Sequence, residues 1–261
     1  MSKAERKEKI RQFIYQAGRA TVAELCALFE VSEATVRRDL EELDAEGIVN
    51  RVHGGAVRPD TLSPEPPVFE RTHEQTEAKT CIGQAAAALI ADGETVFLGS
   101  GSTVLAVARR LKQRRNLTVI SNSLPAINLL ADAPDVTVIA LGGLLRSSEL
   151  SLIGHIAEQS LAELRADKVV MGIRAVHLER GLTNDYLPET MTDRAIVRLS
   201  AQVILVADHT KFGRTATAYV APLSAVDTVI TDAGIAPQVV QGLTEAGIRV
   251  IVAGEIEPLS T

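Results

Sequence analysis

The sequence predicts an α/β protein in two parts, a small three-helix module closed by a β-hairpin and a larger open, mostly parallel sheet covered by helices. Three observations predict it. Pro59, Pro64, Pro66 and Pro67 fall within ten residues and separate two stretches of different pattern. Such a run fixes φ and removes N–H donors, so it reads as a semi-rigid linker. Before it, short amphipathic runs follow one another with cap residues; after it, apolar strand-like runs alternate with helical ones. Aromatic residues are only 3% and Trp is absent, so the core is built from Ala, Val, Ile and Leu. That composition suits a parallel sheet buried on both faces. The expected boundaries are residues 1–58, a linker over 59–67, and residues 68–261.

The first part holds three short helices. Ile10, Phe13, Ile14 and Ala17 make an i, i+3, i+4, i+7 stripe that Gly18 terminates. Thr21 opens the second helix: its hydroxyl caps while Glu24 reaches back, a capping box. Val22, Leu25, Leu28 and Phe29 form its inward face. Only Glu30 and Val31 then precede Ser32, the cap of the third helix, so the chain must turn sharply. That helix points Val36, Leu40 and Leu43 inward and ends at Gly47. Residues 48–53 alternate, Gly54-Gly55 turns the chain, and Ala56-Val57 returns, which is a hairpin with a glycine turn. Three helices and a hairpin in this order form a winged helix-turn-helix.

The second part alternates. Strands are expected at 95–98, 117–121, 136–141, 168–172, 203–207, 228–231 and 249–253, mostly as continuous apolar runs. Helices are expected at 70–91, 103–110, 124–130, 156–164, 189–200 and 238–246. Repeated β-α-β units imply an open parallel sheet with ligands at the carboxyl ends of its strands.

Composition narrows the function. Apolar residues at 46% and charged residues at 23% are ordinary globular values, which exclude a disordered chain. With 27 Lys+Arg against 33 Asp+Glu, the chain is acidic overall and does not attract nucleic acid through its global field. Any such contact has to be local. Residues 1–58 balance ten basic against ten acidic residues, which leaves the acidic excess to the rest. Cys26 and Cys81 offer neither a disulfide framework nor a zinc site and are expected as buried free thiols. His53, His73, His155, His177 and His209 show no ligand spacing. No metal and no cofactor is therefore expected. No apolar run reaches the ~18 residues that span a bilayer, and no signal-peptide pattern opens the chain. The expectation is a cytoplasmic protein without a membrane partner.

The run from Val31 to Leu40 carries the first chemical signal. With Val36, Leu40 and Leu43 inward, Glu33, Ala34, Arg37 and Arg38 project from the start of the third helix. A helix start in the major groove brings base-edge side chains and backbone donors together. Arginine suits it because its planar fork grips guanine or phosphate bidentately. The candidate contacts to double-stranded operator DNA are Ser32, Glu33, Ala34, Thr35, Arg37, Arg38, Arg51 and His53, with Arg58 along the backbone. Lys3, Arg6, Lys7, Lys9 and Arg11 add a second positive stretch. The plain alternative pairs Arg37 and Arg38 with Asp39, Glu41 and Glu42 on a solvated helix. A capped tight turn, a glycine wing and an arginine pair occurring together favour DNA. Symmetric dimers read paired half-sites, so a homodimer or homotetramer is expected.

The second signal is Gly99-Ser100-Gly101-Ser102-Thr103, between a strand and a helix. Glycines permit close backbone approach, hydroxyls donate, and a helix amino end favours an anion. Other polar strand ends are expected to converge on it: Ser121-Asn122, Gly142-Gly143 with Arg146, Gly172 with Arg174, and Asp208 with Lys211. The candidate ligand residues are Ser100, Gly101, Ser102, Thr103, Ser121, Asn122, Gly142, Gly143, Arg146, Arg174, Asp208 and Lys211. Lys211 and Arg146 are the natural cations for a phosphate. The plain alternatives are a surface pair of Lys211 with Asp208, an exposed charge at Arg146, and a pair of Arg174 with Asp185 or Glu189.

The run "VSEATVRRDLEELDAEGIVNRVHGGAV" resembles the DNA-binding signature of the DeoR family of bacterial transcriptional regulators. Beyond the linker, "FERTHEQTEAKTCIGQAAAALIADGETVFLGSGST", "LTVISNSLPAINLLA", "VIALGGLLR", "ADKVVMGI" and "VADHTKFGR" resemble successive blocks of that family's sensor domain. The resemblance covers nearly the whole chain in order. It implies a repressor or activator of a carbohydrate operon, with repression the expected sign. It also implies a sensor domain similar in fold to ribose-5-phosphate isomerase and responsive to a phosphorylated sugar or related metabolite. Two positions depart from the pattern: Gly99 stands where many members carry an acid, and Arg174 stands where small residues are common.

The rival class is an isomerase-like enzyme with a DNA-binding appendage. Proton abstraction beside a carbonyl needs a positioned carboxylate near the phosphate loop. The segment after the fourth strand, where such isomerases carry an acid cluster, reads Asp167-Lys168-Val169-Val170-Met171-Gly172 and lacks one. No catalytic residue is therefore assigned. A pure oligomerisation scaffold would not need the polar strand ends.

Overall fold

The computed structural model describes residues 2–45, 48–52, 54–57 and 65–254. Its contacts divide the chain into two units, Met1–Pro64 and Glu65–Thr261. Gly47, His53, Arg58 and residues 59–64 of the expected linker lie outside the described residues. Residues 65–67, expected as linker, belong to the second unit. Arg71 Nε donates to the Pro66 carbonyl at 2.9 Å, and Val68 N donates to the Ser148 carbonyl at 2.8 Å.

The first unit runs α1 (Lys3–Ala17), β1 (Arg19–Thr21), α2 (Val22–Phe29), α3 (Glu33–Ala45), β2 (Asn50–Val52) and β3 (Gly55–Val57). The Thr21–Glu24 capping box forms, and Ser32 Oγ accepts from Thr35 N at 3.3 Å. Gly18 at φ 77 and Glu30 at φ 53 end the first two helices in the left-handed region, which turns the chain within a residue or two. Ile10, Ile14, Val22, Leu25, Val36, Leu40 and Leu43 make the core with Val49 and Ala56. Two residues expected there are outside it. Ala17 in the last turn of α1 is exposed, and Leu28 is 52% exposed because Val22 and Leu25 already carry the contact face of this eight-residue helix. The wing has one strand more than expected: β1 joins the hairpin, in the order β1-β3-β2. Gly55 lies opposite Thr21, and a Cβ there would stand 2.1 Å from the Ala20 carbonyl oxygen. Only glycine admits that approach.

The second unit begins with α4 (Val68–Arg71), α5 (Thr76–Ala88), β4 (Thr95–Leu98), α6 (Ser102–Leu111), β5 (Leu117–Ser121), α7 (Leu124–Leu130), β6 (Val136–Ala140), β7 (Leu144–Arg146) and β8 (Ser151–Ile153). It continues through α8 (His155–Glu163), β9 (Lys168–Met171), β10 (Ala175–His177), β11 (Gly181–Asn184), α9 (Leu187–Val197), β12 (Val203–Val206), β13 (Ala218–Ala221), β14 (Thr228–Asp232), α10 (Pro237–Glu245) and β15 (Arg249–Ala253). All seven expected strands form one parallel sheet in the order β15-β14-β12-β9-β4-β5-β6. Alternate residues feed two apolar layers: Phe97, Val169 and Leu205 on one face, Val96, Leu98, Val170 and Ile204 on the other. That double burial explains why the strands read as unbroken apolar runs.

Three local expectations are corrected. The helix expected at 70–91 is broken, because Gln75 adopts φ 50 between α4 and α5. Cys81 is exposed and Cys26 half-buried, since Ile82 and Gly83 take the inner face of α5. The antiparallel sets β7–β8 and β10–β11–β13 were not anticipated; strands of three or four residues are too short to show a period.

From β4 the chain builds outward through β5 and β6, then returns to the other side of β4 as β9. This reversal opens a crevice at the carboxyl ends of β4 and β9, the place where open α/β sheets bind ligands.

Candidate DNA interface and ligand crevice

In the first unit, the face of α3 away from the core carries Ser32, Glu33, Ala34, Arg37 and Arg38, all exposed, with Thr35 half-buried behind its bond to Ser32. Arg37 Nη2 donates to Glu33 Oε2 at 3.0 Å, a pair more than half exposed on both sides and readily exchanged for another anion. Arg51 on β2 donates to Glu41 at 2.8 Å. His53 lies outside the described residues. Of the second positive stretch expected at the amino terminus, four of the five cations are paired among the described residues. Lys3 and Lys7 pair with Glu42, Arg11 pairs with Glu8, and Arg6 pairs with Asp39, which is buried. Three of these four pairs are contacts between α1 and α3, so these charges hold the helices together.

In the second unit, the crevice is lined by Ser100–Thr103 after β4 and by Gly172, Ile173 and Arg174 after β9. Glu65, Arg71, Glu149, Asn184, Glu189, Asp193 and Lys211 complete its wall. Gly101, at φ 106, begins α6, and no side chain caps that helix, so its amino end opens on the crevice. Backbone donors and the helix dipole there favour an anion.

The wall carries both signs of charge. Glu65 Oε1 lies 3.0 Å from Lys211 Nζ, 3.1 Å from Arg71 Nη1 and 3.4 Å from Arg174 Nη1. Burial alone raises the Glu65 pKa, but the three cations overcome it and hold the carboxyl below its usual value. Arg71 also donates to Glu149, whose pKa burial pushes up. Arg174 Nε donates to Asp185 Oδ2 at 2.7 Å. Arg146 donates to Glu189 and lies 4.7 Å over the Tyr186 ring. Glu189 Oε1 also accepts from Ser151 Oγ at 2.8 Å. Asp193 accepts from Asn184 Nδ2 at 2.8 Å, and burial pushes its pKa up to about 7.

The structure thus brings Ser100, Gly101, Ser102, Thr103, Arg174 and Lys211 together, with Arg146 behind Glu189. It does not bring the other expected strand ends into the wall. Ser121 Oγ is fully buried and donates to the Leu98 carbonyl at 2.7 Å, and Asn122 Nδ2 donates to the Leu152 carbonyl at 3.3 Å. Gly142 packs against Ile156, and a Cβ on Gly143 would stand 2.6 Å from the Ile153 carbonyl oxygen. Both follow β6, two strands from β4, which is roughly 10 Å away across the sheet. Asp208 caps the turn His209–Lys211 by accepting from Thr210 N at 3.0 Å; it is not the partner of Lys211. Glu65, Arg71, Glu149, Asn184 and Asp193 were missed. Their spacing follows no local motif, and the one available signal was a charged pair, Glu65 and Arg71, flanking two prolines.

Among the described residues no cluster of three His, Cys, Asp or Glu is placed to hold a metal, and no described helix is long and apolar enough to cross a membrane.

Residues 6–61 match the profile of the DeoR-like helix-turn-helix domain, and residues 74–233 match that of the DeoR C-terminal sensor domain. The glycerol-3-phosphate regulon repressor of Escherichia coli K12 is 36% identical over 249 residues, which are 95% of this chain and 98% of that protein. The transcriptional repressor AccR of Agrobacterium fabrum is 33% identical over 89% of this chain and 91% of its own length. Among solved structures, ribose 5-phosphate isomerase A of Methanocaldococcus jannaschii aligns with 53% of this chain and 55% of its own, at 18% identity and a TM-score of 0.40. Two family domains in sequence, and relatives alike from end to end, make the chain a member of the DeoR family of DNA-binding transcriptional regulators and not an enzyme.

Proposed function

We propose that this protein represses carbohydrate-metabolism genes and that a phosphorylated sugar, or a similar polyhydroxylated anion, controls its hold on operator DNA. One observation carries the reading: the crevice at the reversal of the sheet joins an uncapped helix amino end to Arg71, Arg174 and Lys211. The helix end and the cations suit a phosphate. Glu189, Asn184 and Asp193 suit hydroxyl groups, which both donate and accept. In the DNA-binding unit, Arg37 and Arg38 read the major groove and Arg51 follows the backbone. The repressor names of the relatives support the sign of regulation.

A thermal-shift screen of phosphorylated sugars on the full chain tests the ligand, because a compound that binds the folded state raises its stability by mass action. The ligand so found should change the affinity for operator DNA, and Lys211→Glu should abolish the change while operator binding without ligand persists. Unchanged ligand affinity in both Lys211→Glu and Ser102→Ala would place the site elsewhere.

We also propose self-association through the second unit. Leu144, Leu145, Ile156, Leu187 and Met191 are 45–65% exposed on β7, α8 and α9. Exposed apolar side chains in such number support an interface. Sedimentation should give a mass above one chain, and Leu187→Asp should lower it.

A further inference from the structure

We propose that the Glu65 carboxylate occupies the place of the ligand's anionic group, and that ligand binding expels it together with residues 65–67. The inference rests on the crevice being the ligand site. Three cations from three separate elements converge on one oxygen of Glu65, and its side chain is only 10% exposed. A carboxylate held this way is what an anion site looks like when its occupant comes from the chain itself.

Space and charge both require it to leave. With Glu65 in place, the free volume of the crevice is about 50 Å³. That admits a water or two, whereas sites for small organic ligands hold roughly 300–1,000 Å³. Arg71, Arg174 and Lys211 share the Glu65 carboxylate, with Glu149 also on Arg71 and Asp185 on Arg174. Removing Glu65 takes that shared carboxylate from the three cations, and an incoming phosphate takes its place. The alternative of ligand and Glu65 side by side sets two anions against the same cations.

The segment is built to let go. Pro66 and Pro67 have no N–H, and among the described residues the segment is held by the ion pairs of Glu65 and by two bonds from Arg71, Nε to the Pro66 carbonyl at 2.9 Å and N to the Pro67 carbonyl at 3.2 Å. Glu65 is the first residue of the second unit, so its release occurs at the covalent junction with the DNA-binding unit. Glu65 thus sets ligand affinity by competition and ties ligand entry to that junction.

The test uses the full chain and inorganic phosphate. Glu65→Gln keeps the shape and removes the charge, and Glu65→Ala serves as a second variant. If the crevice is open less than a tenth of the time, either variant should bind phosphate at least about tenfold more tightly than the wild type in isothermal titration. The chain has no Trp, so Phe69→Trp at a 57% exposed site gives a single reporter. Phosphate should shift its emission when Glu65 is present and leave it unchanged in Glu65→Ala, which has no side chain to expel. Equal phosphate affinity with and without Glu65, lost in Lys211→Met, overturns the competition but keeps the crevice as the site. An unshifted reporter in the Glu65 protein at saturating phosphate also overturns it. Phosphate binding that survives Lys211→Met, or binding to none of these proteins, overturns both readings.

Discussion

Asp39 follows Arg37 and Arg38 in the sequence yet points the opposite way, into the first unit, where Arg6 Nε and Nη2 reach its two carboxylate oxygens at 2.6 and 3.2 Å. Asp39 is 1% exposed. The pair fixes the rotation of α3 about its axis and so keeps the two arginines outward. Removing Arg6 leaves the buried Asp39 carboxylate without its guanidinium, a loss on the order of 1–3 kcal/mol for a pair whose arginine is partly solvated. Arg6→Ala should therefore lower the first calorimetric transition and leave that of the second unit unmoved.

Arg37→Ala or Arg38→Ala should act differently. Both side chains are exposed, so melting should be unaffected. If each grips a base edge bidentately, each substitution should weaken operator binding by about 1–3 kcal/mol. A contact to phosphate alone would instead reduce the salt dependence by roughly 0.9 in log–log slope. Titration of the selected operator at several salt concentrations separates these, and wild-type binding by the double variant would remove α3 from the interface.

Gly83 on α5 sits where a Cβ would meet the Ala106 carbonyl carbon and oxygen on α6, both at 2.8 Å. Alanine there must push α6 away, and overpacking typically costs about 1–3 kcal/mol. Because α6 carries the proposed anion-binding end, Gly83→Ala should lower both the melting temperature and the phosphate affinity.

Asp193 makes the second unit sensitive to pH. Burial lifts its carboxyl from 3.8 to about 7. Between those values the unfolded chain has lost the proton and the folded chain keeps it, so this group's contribution to stability falls as pH rises through the interval and levels off above it. The full span is on the order of a few kcal/mol. Asp193→Asn should gain stability over the wild type at pH 8 relative to pH 5, measured by denaturant unfolding; parallel curves at the two pH values would count against it.

The sequence by itself determined the local chemistry and the order of elements. Thr21 with Glu24 and Ser32 with Thr35 cap their helices through bonds spanning three residues, so the motif is complete on the page. The five inner strands of the parallel sheet were legible because burial on both faces demands unbroken runs such as Val203–Val206. Ser100–Thr103 was legible as a strand-to-helix loop for the same local reason. Tertiary structure alone decided which strand is the neighbour of which. It put β9 beside β4, made Gly172 and Arg174 the partners of that loop, and left Ser121, Asn122, Gly142 and Gly143 outside the crevice wall. It also brought Glu65 to Lys211 across 146 residues of chain. Contacts of that range are set by strand order and by the competition of buried charges for partners, and neither leaves a periodic mark in the sequence.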